Sequence, residues 1–159
     1  MDPDEPTLVP VEAGYKHAIR ARLALGWLPV IVAAVVLDRV LLAPAGFGTF
    51  LPLAFLALAI LVVATAPARI YRRLRYRLTG HLLQVVRGWL FHVDTIVPLV
   101  RVQHLDVVRG PFDKLFGTAT LVVHTAGTHN STVSLPGLAP ERAAEMRDVI
   151  REHVRTDFA

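Results

Sequence analysis

Two long runs without charge dominate the first half of the chain. Residues 23–37 form the first, 15 positions long. As a helix it spans about 22 Å, short of the roughly 30 Å of a bilayer's hydrocarbon. Continuing to residue 43 supplies the missing length and places Asp38 and Arg39 at the far interface, Arg39 snorkelling. Pro29 predicts a kink inside this span. From Val40 to Ala68 there is no charged residue at all, and residues 49–68 make a full second span with Pro52 in its first turn. Residues 45–48 read as the turn between them. The spans are placed at about 22–43 and 49–68.

After Leu74 the apolar period shortens to near two. Residues 76–79 and 82–87 read as a hairpin around Gly80-His81. Residues 90–97, stopped by Pro98, read as a third strand; 100–108 as a fourth; 120–125 as a fifth; 131–135 as a short edge strand. In the fourth, Val100, Val102, His104 and Asp106 alternate onto one face, and Arg101, Gln103, Leu105 and Val107 onto the other. Gly110-Pro111 and Gly117 bracket Phe112, Leu115 and Phe116. Their spacing predicts one helical turn that buries all three. Pro140 opens a last helix with an apolar stripe of Ala143, Met146, Val149, Ile150 and Val154.

The order of three submotifs carries a family resemblance. They are Arg101-Val-Gln-His-Leu105 with Gly110-Pro111, then Leu115-Phe-Gly-Thr-Ala-Thr-Leu121, then Thr125-Ala-Gly127. Together they resemble the bacterial pleckstrin-homology-like membrane proteins called YdbS-like, over roughly residues 70–155 plus the hairpin in character. Leu99, where the family pattern is often aromatic, and Lys114, where arginine is common, depart from it. The resemblance implies an α+β membrane protein: a two-helix transmembrane hairpin, then a small pleckstrin-homology-like β-sandwich or barrel capped by a C-terminal helix. The expected division is a disordered tail at 1–15, the hairpin at 16–73 and the domain at 74–155. Fold alone does not fix function.

Charge sets the orientation. Lys16, Arg20 and Arg22 precede the first span, five arginines follow the second, and only Arg39 lies between. The positive-inside rule puts both termini and the domain in the cytoplasm of a multi-pass plasma-membrane protein. The five are Arg69, Arg72, Arg73, Arg75 and Arg77, flanked by Tyr71 and Tyr76. They read first as a topology signal and then as a non-specific contact for anionic lipid headgroups, each contributing about 1 kcal/mol. Nucleic-acid binding is disfavoured, because no recognition motif accompanies the charge. The acidic, Pro-rich opening residues do not resemble a signal peptide.

Candidate chemistry is sparse. The chain has no cysteine, which excludes thiolate catalysis and Cys-ligated metals. Nucleophile-elbow, phosphate-loop and zincin motifs do not occur. His92 with Asp94, and His104 with Asp106, alternate onto strand faces and read as polar surface before they read as a metal site. His129 with Ser131 and Ser134 lacks an orienting carboxylate, and His124 reads as a hydrogen-bonded strand residue. No catalytic residue, metal or cofactor is expected. The reading is a non-enzymatic membrane-anchored module that binds a protein partner, such as a membrane protein of the same family, or the anionic bilayer surface. The alternative is a small membrane enzyme or a transporter or export accessory subunit. A deep polar cleft holding His92 and His104 together would favour that alternative.

Overall fold

A computed structural model describes residues 7–42, 49–89, 91–126 and 132–157. The two uncharged runs are helices α1 (Gly14–Leu37) and α2 (Phe50–Arg73), packed side by side. Both are long and apolar enough to cross a membrane, α1 counted on to Val40. The last turn of the first helical rod, Asp38–Leu42, widens into a π-helix. The predicted turn at 45–48 lies outside the described residues. At its near edge the buried Asp38 carboxylate accepts the Thr49 N–H at 2.9 and 3.1 Å, so Asp38 tethers the start of α2. Thr49 takes a left-handed φ of 78° there.

Both helices extend further on the side of the chain ends than the expected spans at 22–43 and 49–68, and the extra turns belong to the domain. Tyr15, Ala18 and Ile19 of α1 are buried in the same core cluster as the strands. Residues ahead of α1 join it too. Val9–Pro10 forms strand β1, and Val11 is buried. Within the expected disordered tail of 1–15, the described residues 7–15 pack on the domain instead, and 1–6 lie outside the described residues. Its acidic, Pro-rich composition concealed Val9, which finds a partner strand far along the chain, and Val11, which is buried in the core.

Strands β2 (Arg75–Leu78), β3 (Leu82–Arg87) and β4 (Val93–Pro98) follow, and β1 to β4 form one antiparallel sheet in that order. The Gly80-His81 hairpin falls where expected, with Leu78 opposite Leu83. The third strand begins at Val93 instead of residue 90 and takes in Pro98 at its end. A 3₁₀ turn (Leu99–Arg101) leads into β5 (Val102–Val108), a short helix α3 (Pro111–Leu115), β6 (Ala119–Thr125) and β7 (Thr132–Leu138). Strands β5, β6 and β7 form the second antiparallel sheet. Helix α4 (Pro140–Asp157) packs on the 3₁₀ turn, β5 and β6, its buried face carrying Ala143, Met146 and Ile150. Leu83 and Val85 face Leu121, Val123 and Leu135 in a core of fully buried side chains. Each such side chain contributes about 1.5–3 kcal/mol of transfer free energy.

Two local expectations change. A β-bulge lies between Val102 and His104. One extra residue reverses the alternation. Val102 is buried, His104 is exposed, and Leu105 and Val107 turn to the core, while Val100 before the strand is 56% exposed. The helical turn α3 also faces differently. Phe112 and Phe116 pack partly against the core, but Leu115 is 73% exposed and the residue buried in its place is Asp113. Strand β7 runs past Leu135 to Leu138. Pro136 and Gly137 fit because the register shifts against β6 between Ala119 and Leu121.

Candidate membrane-facing surface

Gly110-Pro111 starts α3 with an extended residue and a proline at the first helical position, which leaves the first-turn N–H groups without helical partners. Asp113, three residues beyond Gly110, supplies one acceptor: its Oδ2 takes the Gly110 N–H at 3.0 Å. The same oxygen accepts Arg22 Nη2 at 2.7 Å, and Oδ1 accepts the buried Thr118 hydroxyl at 3.1 Å. Arg22 is the last charge before the uncharged run of α1. The pair therefore fastens the first helix to the domain at the point where the apolar stretch begins. Asp113 was not among the residues singled out from sequence. Its signal was an acid at the third position after a Gly-Pro helix start, a capping position.

The second attachment is at the end of α2. Leu74 alone separates α2 from β2, and it is buried. Arg69, Arg72 and Arg73 occupy the final turns of the helix, and Arg75 and Arg77 the strand. The five do not share one role. Arg72 Nε donates to the Ala68 carbonyl of its own helix at 3.3 Å, and Arg73 Nη1 to the Trp89 carbonyl in the β3–β4 loop at 2.8 Å. Arg77 donates from Nε and Nη2 to Gln84 Oε1 at 3.1 and 2.6 Å, and Gln84 Nε2 donates to Asp94. That polar line crosses β2, β3 and β4 and holds Arg77 on the sheet. Arg69, Arg72, Arg73 and Arg75 are exposed around the helix end.

The histidines separate as well. His104 Nε2 lies 2.9 Å from Asp106 Oδ1 and His124 Nε2 lies 3.4 Å from Asp106 Oδ2, so one carboxylate bridges two imidazoles across β5 and β6. Thr132 Oγ1 lies 3.3 Å from His124 Nδ1. The bulge is what turns His104 and Asp106 outward to meet His124. His92 is exposed in the β3–β4 loop, and its expected partner Asp94 is held by Gln84. His129 and Ser131 lie outside the described residues. Beside His104, a pocket of about 120 Å³ is lined by Val102, Gln103, Leu105, Arg151 and Val154 as well, without His92. Larger grooves lie between α1 and α2 and are apolar, the greater of them about 490 Å³ with Arg20 at its rim.

Two small antiparallel sheets with a C-terminal helix, mounted on two apolar helices, define a pleckstrin-homology-like membrane protein. The bacterial PH domain family model matches residues 21–154, and the chain belongs to that family. It is 31% identical to the UPF0699 transmembrane protein YdbS of Bacillus subtilis (strain 168) over 128 residues, 80% of this chain and 79% of that protein. No solved structure matches it. The fold class implied by the resemblance is thereby established. The family match also begins inside α1, so it takes in hairpin and domain together.

Proposed function

We propose that this chain is a non-enzymatic membrane module: α1 and α2 cross the plasma membrane, both termini lie in the cytoplasm, and the pleckstrin-homology-like domain is held against the anionic leaflet to receive a protein partner. The observation that carries this reading is the absence of a linker at either attachment among the described residues. Helix α1 runs from the domain core into the uncharged stretch without a break, and Leu74 alone joins α2 to β2. A domain so mounted cannot swing, so it presents one fixed side to lipid and the other to the cytoplasm.

Arg69, Arg72, Arg73 and Arg75 then surround the point where α2 leaves the bilayer. Their attraction to the leaflet is additive, on the order of 1 kcal/mol each, and needs no headgroup pocket. Arg77, held by Gln84, contributes charge at greater distance. The exposed outer face of β5 and β6, where Asp106 meets His104 and His124, is the surface assigned to the partner, a membrane protein of the same family in the first instance.

Counting the lipids that co-purify with the full-length chain tests the arginine surface. Wild type should enrich anionic lipid according to total charge and lose the enrichment with salt. The Arg69/Arg72/Arg75→Gln triple variant should lose most of it. Enrichment of one headgroup over others of equal charge, surviving in the triple variant, would show a selective pocket instead. Labelling of a cysteine introduced at position 159 from outside intact cells would reverse the orientation.

A further inference from the structure

The β3–β4 loop lies at the membrane end of its sheet. Arg75, two residues after α2 ends, pairs with Val86, whereas the Gly80 turn is at the opposite end of the hairpin. The chain leaving Val86 therefore returns to the level at which α2 terminates. Arg73 fixes the loop there through its hydrogen bond to the Trp89 carbonyl. Helical side chains lean toward the helix N-terminus. For Arg73 that direction is back along α2, toward the uncharged run.

Besides the exposed His92, the described side chains of the loop are two solvent-facing aromatics. Phe91 is 79% exposed, Trp89 48% and Val93, which follows at the start of β4, 42%. The turn that presents them is tight. A Cβ on Gly88 would stand 2.1 Å from the Phe91 carbonyl oxygen, so only glycine closes it without displacement. An amphipathic indole and a phenyl ring at the level of a helix end match the aromatic belt of membrane interfaces. Exposed Arg69, Arg72 and Arg75 near the end of α2 are of the sign that an anionic leaflet attracts, and the one exposed acid at the start of β4, Asp94, is held by Gln84.

We propose that Trp89 and Phe91 are immersed in the headgroup–acyl boundary of the bilayer the chain spans, making the β3–β4 loop a third point of membrane contact. The proposal rests on α1 and α2 being the spans. It is independent of lipid charge, because the burial of two aromatic side chains drives it.

The chain contains two tryptophans, Trp27 in α1 and Trp89. The full-length Trp27→Phe variant in nanodiscs of phosphatidylcholine reports Trp89 alone, and Trp89→Phe reports Trp27. With lipid brominated high on the acyl chain, Trp89 emission should be blue-shifted and should lose most of its intensity, and Phe91→Ser should relieve much of that quenching. Trp89 emission as in water, quenched by aqueous iodide and not by bromolipid, would overturn the proposal. So would blue-shifted emission that neither quencher reaches, which would mean that protein covers the loop. Quenching of Trp27 by bromolipid keeps the two failures apart. If Trp27 is quenched and Trp89 is not, the loop contact is wrong; if neither is, the spans are.

Discussion

Replacing Asp113 with alanine tests how the domain is fastened to its first helix. The carboxylate has side-chain exposure of 5% and accepts three hydrogen bonds, from Arg22, Gly110 and Thr118. Its loss strands the Thr118 hydroxyl, which is fully buried, at about 1–3 kcal/mol. It also removes the acceptor at the start of α3, worth about 1 kcal/mol. Arg22 adds little to the cost, because its side chain is 42% exposed and can turn to water. The sum is about 2–4 kcal/mol. For a cooperative unit of roughly this chain's length that lowers Tm by about 4–16 °C. Arg22→Ala, by contrast, removes only a half-exposed ion pair and should cost about 1 kcal/mol or less. Thermal melts of the full-length proteins in matched nanodiscs, followed by near-ultraviolet circular dichroism, read both. Equal destabilisation by the two variants would refute the reasoning, because the cost would then lie in the ion pair and not in the capped, buried carboxylate. An Asp113→Ala protein that melts with wild type would refute it outright.

Gly137 has a φ of 79°, and a Cβ there would approach Tyr15 Cγ to 2.6 Å, so Gly137→Ala should destabilise the chain by more than about 1 kcal/mol in the same melt. Leu115→Ser should leave Tm nearly unchanged, within about 0.5 kcal/mol. Phe116→Ala should be measurably destabilising, yet below the roughly 3–5 kcal/mol of a fully buried phenylalanine, because its ring is only partly covered and stacks on His17 at 6.0 Å. Deleting residues 1–13 removes β1, the buried Val11 and the Glu12 N–H bond to the Gly137 carbonyl. The truncated chain should still insert in the membrane but show raised protease sensitivity in its strands.

What was legible in the sequence was whatever a run or a period encodes. The two helices follow from uncharged length, the first hairpin from Gly80-His81, and α4 from Pro140 and its apolar stripe. What was not legible depends on single residues or on distant partners. The bulge after Val102 reverses every face downstream, and no residue type announces it. At α3, one turn is too short for periodicity to decide direction, so three apolar residues outweighed the Asp113 that fills the buried position. The arginine cluster is continuous in sequence, but the change from α2 to β2 divides it, and Gln84, a strand away, determines what Arg77 does. The N-terminal residues were hidden because their strand partner, Tyr76, lies beyond both spans.

Because the start of α1 belongs to the domain core, the order in which the chain is made matters to its folding. Val11, Tyr15, Ala18 and Ile19 leave the ribosome first, but the strands they pack against come after α2. The core therefore cannot close until the hairpin has been synthesised. On the proposed topology, membrane insertion would precede closure of the domain core. Two antiparallel spans would bring the start of α1 beside the end of α2 and so offset the loop-closure entropy for pairing Pro10 with Arg75. A fragment begun at Arg69, however soluble, lacks four core side chains and this alignment.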